Sequence, residues 1–351
     1  MEEKTLTVVI PAYNMEKYLR RCLDSLMVGE ERMSALEVLV INDGSRDATS
    51  AIAHGYEARY PGTFRVIDKP NGHYGSCVNR GVAEARGKYI KILDADDWYD
   101  TRNFAAYIDA LKGTDADLVL NDYVLIREDG SIARAAMIKA AGYTPLDFFG
   151  TLFKRQRSIG MHAMAYKTSN VRALRYRQAE GITHTDRQWN FVPLFNVTTA
   201  YYVPLVVYMY FIGREGQSMK MTDNAKVIHD NLVIAGCLLD ALAHTPHDKD
   251  KHALLKDECL RKVNAIYKEV IFQYGDETNE QLRRFDEQFK RDYPALYDEA
   301  PAIMTLVHGM PYKYLPYWRA HGRVNSLDPA VALYKAVYTY RHRRYMKKFE
   351  S

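Results

Sequence analysis

Cysteine is scarce in this chain: four in 351 residues, Cys22, Cys77, Cys237 and Cys259, with no CxxC pair. That spacing excludes a disulfide framework and a clustered zinc site, and it fits a reducing compartment, cytoplasmic in the expectation drawn here. Long apolar runs are lacking too. No window approaches the ~18 uninterrupted apolar residues of a membrane-spanning helix, so none is expected. Met1-Glu2-Glu3-Lys4 leads straight into a strand, without the basic stretch and apolar core of a signal peptide. An excess of one charge sign is missing. The net charge of +4, from 48 basic and 44 acidic residues, is too mild to imply nucleic acid. A glycine-rich turn is absent after the first strand, where Pro11-Ala12-Tyr13-Asn14 stands. A nicotinamide dehydrogenase needs GxGxxG at that point, and a sugar-phosphate nucleotidyltransferase needs a Gly-rich basic loop, so both classes are set aside.

What is present is ordinary globular composition, 47% hydrophobic and 26% charged, with length for one large domain and a second, smaller one. Leu6 to Ile10, Leu36 to Ile41, Phe64 to Ile67 and Tyr89 to Leu93 read as short buried strands. Helical spacing runs between them, from Met15 to Met27, from Ala48 to Tyr60 with Asp47 as its cap, and from Gly75 to Ala85. Strands alternating with helices predict an α/β fold with a mostly parallel, Rossmann-like sheet. Further strands are expected at Asp117 to Ile126, Met161 to Tyr166 and Ala200 to Phe211, the last broken at Pro204. Helices are expected near Ser169 to Leu174 and over Thr185 to Phe195. Beyond about Asn224 the pattern becomes long helices, from Ala225 to Ala243, Asp248 to Gln273 and Thr278 to Tyr293. This places a boundary near residue 222, between an α/β domain and a helical C-terminal subdomain.

The stretch Ile90-Lys91-Ile92-Leu93-Asp94-Ala95-Asp96-Asp97-Trp98 carries the most chemistry. A buried strand there exits into three carboxylates within four residues. Like charges crowded at a strand end repel and resist desolvation, so a stable fold needs a reason to keep them. A divalent cation shared with substrate phosphates is one reason, which points to an enzyme handling a nucleoside diphosphate. A solvated acidic turn is the other. The remaining strand ends bear on the choice. They carry Pro11 to Asn14, Asn42-Asp43-Gly44-Ser45 and Lys69-Pro70-Asn71-Gly72-His73. In parallel sheets ligands bind beyond the carboxyl ends of the strands, so four such ends describe one site and favour the cation.

With these strand ends in view, the chain resembles the family 2 glycosyltransferases, over roughly residues 5 to 220. Val9 to Asn14 is similar to that family's opening strand and loop, and Ile41 to Asp47 to its second-strand motif. Asn71-Gly72 with Asn79-Arg80-Gly81 resembles the element before the metal motif. Ile92 to Trp98 resembles the metal motif itself, and Gly181 to Trp189 the later segment with the catalytic base. The resemblance implies a GT-A-type fold and an inverting transfer from a nucleotide-sugar donor, UDP-linked in expectation, to a glycan or lipid-linked acceptor. Cell-surface polysaccharide synthesis would be the setting.

It also implies roles. Asp43 would accept a hydrogen bond from the donor base, and Asn71 lies on the same donor side. Pro11, Ala12, Tyr13 and Asn14 would line base and ribose, with Tyr13 able to stack. Asp94 and Asp96 form a D-x-D whose residues face the same side of an extended backbone. Asp96 would be the direct ligand of Mn2+ or Mg2+, and Asp94, with Ala95, would contact ribose or metal. Asp97 is left between a supporting role and a helix cap. Asp186 would be the general base. The family's usual Glu-Asp pair is Thr185-Asp186 here, and a helix cap at Thr183, Thr185 or Asp186 is the other use of that segment. That departure leaves room for a degenerate transferase that binds donor or glycan without turnover. Arg214 and Gln217-Ser218 could meet the diphosphate or simply make a surface ion pair, and Lys69 offers electrostatic support. His73 and His184 are not assigned to the metal. The tail from Leu333 to Phe349 interleaves tyrosines with Arg341, Arg343, Arg344, Lys347 and Lys348. It reads as a peripheral membrane anchor, a core-packing helix with a basic end, or a homo-oligomer interface.

Overall fold

The computed structural model describes residues 4–183, 185–214, 224–273, 279–302, 305–307, 310–312, 314–323, 329, 332–333, 335–337 and 339–340. The chain divides into two compact units, residues 1–214 and 215–351. In the first unit the elements run β1 (Leu6–Ala12), α1 (Leu19–Asp24), α2 (Glu30–Ala35), β2 (Leu36–Asn42), α3 (Thr49–Arg59), β3 (Phe64–Asp68), α4 (His73–Glu84) and β4 (Tyr89–Ile92). They continue with β5 (Trp98–Tyr99), α5 (Thr101–Lys112), β6 (Leu118–Ile126), β7 (Ile132–Ala136), β8 (Pro145–Asp147), β9 (Met164–Lys167), α6 (Thr168–Ala173), α7 (Asp186–Trp189) and β10 (Thr199–Phe211).

The strands form one sheet in the order β3-β2-β1-β4-β9-β6-β10-β5, with β7 on β6 and β8 on β10. β3, β2, β1 and β4 are parallel, and so are β6 and β10. β9 enters between β4 and β6 antiparallel to both, so the sheet is mixed, with its parallel half on the side of β1. β1 and β2 are buried along their whole length, as expected of β-branched central strands covered on both faces. Val9 accepts from Leu93 N across the β1–β4 ladder. Pro11, two residues on, faces the same way past the end of that ladder, where its missing N–H breaks no pairing.

Two sequence expectations are corrected in detail. The strand near Pro204 is not broken: β10 runs through it, and the register with β6 shifts between Val203 and Val206. The exposed proline sits in a bulge, the arrangement that tolerates a residue without an N–H. The helix expected over Thr185 to Phe195 is the four-residue α7 followed by a 3-10 turn at Val192–Asn196. Pro193 lies inside that span and interrupts regular α-helix bonding.

In the second unit the elements are α8 (Asn224–His244), α9 (Lys249–Gln273), α10 (Asn279–Asp292), α11 (Pro294–Glu299), the hairpin β11 (Thr305–Val307) and β12 (Met310–Tyr312), and α12 (Tyr314–His321). Leu238, Cys259, Ile266, Tyr267, Leu282 and Trp318 are among its buried side chains. The Asp286 carboxylate accepts from Tyr267 Oη at 2.6 Å, Tyr297 Oη at 3.0 Å and Arg319 Nε at 3.0 Å, which neutralises a charge inside the unit. Ala225–His244 is long and apolar enough to cross a membrane, but 61% of that window is buried inside the protein, as for the core helix of a bundle. In the tail, Leu333 and Tyr340 are exposed. Tyr334, Tyr338 and residues 341–351 lie outside the described residues, as do His184, Gln217 and Ser218.

Candidate functional site

The site is built at the carboxyl ends of β1, β2, β3 and β4. At the end of β1, Pro11 and Ala12 are buried, whereas Tyr13, just beyond it, is 43% exposed and presents a ring. Asn14 takes the left-handed conformation, with φ 53°. Its backbone N–H donates to Ser45 Oγ at 3.0 Å, and its side-chain Oδ1 accepts from Arg46 N at 2.9 Å. The β1 loop is thereby tied to the β2 loop.

Asp43, at the end of β2, is almost fully buried. Its backbone N–H donates to Ala12 O at 2.8 Å. One carboxylate oxygen, Oδ1, accepts from Gly72 N at 3.0 Å and from the Lys69 ammonium. Asn71 donates its amide to the Asp43 carbonyl at 3.0 Å, so in this state it braces Asp43.

The three carboxylates after β4 are separated by their partners. Asp94 Oδ1 accepts from Tyr74 Oη at 2.7 Å. Asp97 is fully buried; its Oδ2 accepts from Tyr208 Oη at 2.6 Å and its Oδ1 from Phe211 N at 2.7 Å. Tyr208 Oη in turn accepts from Asp94 N at 3.2 Å. Asp97 thus fastens the acidic turn to β10. Asp100, not Asp97, caps the next helix, accepting from Asn103 N. Asp96 pairs with the guanidinium of Arg214. The carbonyl of Asp96 accepts from Arg21 at 3.0 Å, and Arg21 lies 3.8 Å over the Trp98 ring.

The electrostatics reflect this crowding. Burial, then the charges of Asp96 and Asp186, pushes the Asp94 carboxyl up to about 7. Burial, then Asp96 and Asp94, pushes Asp97 well above the carboxylate range. Excess negative charge of this kind is what a cation relieves, and carboxylate oxygens are hard donors suited to Mn2+ or Mg2+. Among the described residues, ligand atoms of Asp94, Asp97 and His162 lie within 4.8 Å of one another. Both Asp97 oxygens already accept from neutral donors. Asp94 accepts from a single phenol, and Asp96 holds a cationic partner in Arg214. The His162 ring stacks on Tyr210 at 4.6 Å and meets Tyr208 edge-on at 4.7 Å. Burial, and then the Lys91 charge, lowers its pKa to about 3, so it is neutral, and its Nδ1 is buried with no hydrogen-bond partner.

Asp186 opens α7, and its charge acts on both Asp94 and Tyr74. Thr185, just before it, is buried and caps nothing; its hydroxyl accepts from Gln178 Nε2 at 2.6 Å. The loop holding Gln178 is pinned to α4. Asn79 Nδ2 donates to Gln178 O at 2.9 Å, and Gln178 N donates back to Asn79 Oδ1 at 2.7 Å. Ala179 N donates to Gln188 Oε1 at 2.9 Å. Gly75 makes this approach possible, since a Cβ there would lie 1.8 Å from Ala179 O.

The structure thus gathers Pro11, Ala12, Tyr13, Asn14, Asp43 and Asn71 on the β1–β3 side, and Asp94, Ala95, Asp96 and Arg214 after β4, with Asp186 acting on Asp94. Tyr74, Tyr208, His162 and Gln178 are members of the site that sequence reasoning missed. They come from α4, β10, the turn before β9 and the loop before α7, and no local motif marks them; only the antiparallel insertion of β9 brings His162 here.

Residues 7–173 match the family model "Glycosyl transferase family 2". The uncharacterized glycosyltransferase YibD of Escherichia coli is 27% identical over 277 residues, covering 75% of this chain and 80% of YibD. An uncharacterized Mycoplasma pneumoniae glycosyltransferase, the MG025 homolog, is 41% identical over 95 residues, 26% of this chain and 31% of that protein. The hyaluronan synthase of Pasteurella multocida is 38% identical over 95 residues, 27% of this chain and 10% of the synthase. The chain spans about a third of the length of the first curated relatives it matches. Among solved structures, residues 1–349 of S. aureus TarS in complex with UDP-GlcNAc align with a TM-score of 0.65 at 16% identity, covering 93% of this chain and 98% of that one. The Pyrobaculum calidifontis mannosyltransferase PcManGT in complex with GDP-Man and Mn2+ aligns with a TM-score of 0.50 at 15% identity, covering 86% of each chain. At these identities the likeness is one of fold.

Proposed function

We propose that this chain, whose residues 7–173 match the family 2 glycosyltransferases, moves a sugar from a nucleoside-diphosphate donor, UDP-linked, to a hydroxyl of a glycan or lipid-linked acceptor, with inversion. The observation that carries this reading is that Asp43 follows β2 and Asp94 and Asp96 follow β4, the two strands that flank β1, while Tyr13 is exposed just past β1. Asp186 lies near enough for its charge to raise the Asp94 carboxyl.

Asp43 accepts the N–H of the base, and the exposed ring of Tyr13 covers its face. Asp96 and Asp94 would hold Mn2+ or Mg2+, whose positive charge would offset that of the leaving diphosphate. Arg214 exchanges Asp96 for the phosphates, which its guanidinium fork suits. Asp186 takes the proton of the acceptor hydroxyl as its oxygen attacks the anomeric carbon from the face opposite the leaving nucleoside diphosphate. UDP-GlcNAc in TarS and Mn2+ in PcManGT support donor class and metal type. The match to a hyaluronan synthase supports a polysaccharide or related glycan as product.

Thermal-shift screening against nucleotide sugars with and without Mn2+ tests donor and metal together, since a ligand at about 100 times its Kd stabilises by about 2.7 kcal/mol. Asp186→Asn should lower transfer by about 10²–10⁴-fold while UDP still binds. Near-full turnover by that variant would remove Asp186 as the base.

A further inference from the structure

We propose that Lys69 is a positioning residue for base selection: it fixes Asp43 so that the site takes a pyrimidine with an N3–H, uracil, and refuses cytosine. This rests on the reading of Asp43 as the base acceptor and adds the element that makes that acceptor selective.

Lys69 lies just past β3, and its ammonium has three protons to donate. All three have acceptors: Asp43 Oδ1, Ser76 Oγ at 2.8 Å and Pro70 O at 2.8 Å. Ser76 is itself held, donating to His73 O at 2.6 Å. The lysine side chain is 18% exposed and the Asp43 side chain 4%, so this is a largely desolvated pair rather than a surface contact. The loop is shaped around it. A Cβ on Gly72 would lie 2.7 Å from Ser76 Oγ and 3.3 Å from Lys69 Nζ, so glycine is what lets the loop close over the ammonium.

The consequence is asymmetric. Gly72 N and Lys69 both take Oδ1, and neither takes Oδ2. The carboxylate cannot turn without breaking an ion pair and a backbone hydrogen bond. Beyond the Cys77 thiol, which also hydrogen-bonds to this carboxylate, the second oxygen is left as a fixed acceptor. Uracil offers N3–H to such an acceptor. Cytosine has a bare N3 there, and its amino group could be used only if the carboxylate swung toward it. Lys69 spends its protons on the loop and Asp43, so it acts through Asp43 and not on the base.

The test measures dissociation constants of UDP and CDP, with Mn2+ present, for the full chain and for Lys69→Met. The wild type should prefer UDP, and Lys69→Met should reduce that preference by about tenfold, the scale of one buried acceptor left badly paired. A purely structural loss would weaken both nucleotides equally and leave the ratio intact, which would overturn the proposal. Should Lys69→Met not fold, reductive methylation of the wild type decides the matter. Lys69 should label slowly with and without UDP, whereas labelling sped by UDP would mean that the base displaces the lysine, and the proposal fails. A wild type that binds neither nucleotide would instead remove the donor-site reading on which the proposal rests.

Discussion

Replacing Gly75 by alanine sets two physical effects against each other, and the structure decides between them. Gly75 lies in α4, where helix propensity alone favours alanine by about 1 kcal/mol. The new Cβ, however, would lie 1.8 Å from Ala179 O and 2.8 Å from Ala179 C. Ordinary contact begins near 3.4 Å, so the Ala179 peptide must retreat by roughly 1.5 Å, an overpacking displacement of the kind that costs about 1–3 kcal/mol. α4 is poorly placed to yield instead, because Gly81 packs against Val9 of β1, where a Cβ would lie 2.4 Å from Val9 Cγ1. The loop moves, then, and strains Gln178 N to Asn79 and Ala179 N to Gln188, the contacts that set the turn before Asp186. Set against the gain in propensity, net destabilisation should be about 0–2 kcal/mol, read as a fall of up to a few degrees in melting temperature. An ångström of misplacement at a reacting group is worth about 100-fold in rate, so kcat should fall on that scale while UDP affinity stays near wild type. A Gly75→Ala protein that melts higher and turns over normally would refute the coupling of α4 to Asp186.

The neighbouring contacts carry three more expectations. Gln178→Ala removes the donor to Thr185 and the acceptor of Tyr176 Oη at 2.8 Å, so kcat should drop with the donor KM unchanged; a change confined to KM would contradict a role in orienting α7. Asp97→Ala strands Tyr208 Oη and Phe211 N, a cost of about 1–3 kcal/mol each, whereas Asp97→Asn keeps an acceptor and relieves repulsion. The alanine variant should therefore melt below the asparagine one, and equal melting would refute the anchor. Asp94 has a raised carboxyl pKa, so the stability it contributes in its protonated form is complete below about 4 and is lost as pH climbs through about 7. Without metal, the gain in melting temperature of Asp94→Asn over wild type should widen from pH 5 to pH 8, and a gap independent of pH would count against that burial.

The parallel half of the fold was legible because its strands are short β-branched runs whose ends carry the chemistry. Asp43, Asp94 and Asp96 stand at such strand ends, whereas Asp186 entered only through the resemblance of Gly181 to Trp189. The antiparallel insertion of β9 was not legible, since Met164–Lys167 has no period of its own and gains its place only by pairing with β4 and β6. The helix Thr101–Lys112 escaped notice although Asp100 caps it in the usual manner. Coming directly after Asp94, Asp96 and Asp97, Asp100 reads as one more carboxylate of an acidic run, and nothing in its spacing sets the cap apart. Tyr74, Tyr208 and Gln178 were missed for a different reason. Each acts through a hydrogen bond to a residue 20, 111 or 7 positions away, and such pairings leave no trace in local spacing.

The acidic turn itself shows why a motif of identical side chains need not do one thing. Asp97 has both oxygens filled by a phenol and a backbone N–H of β10, which makes it a fixture of that strand although burial holds its pKa well above the carboxylate range. Asp94 accepts one phenol, and its pKa is raised as well. Asp96 has a full positive charge beside it in Arg214. If Asp94 and Asp96 hold a divalent ion, as proposed, that ion would compete at Asp96 with Arg214. Metal and donor would then bind better together than apart, because the phosphates give Arg214 somewhere to go. If Mn2+ alone shifted the melting temperature as much as Mn2+ with UDP, Arg214 would not be the competitor that its contact with Asp96 makes it.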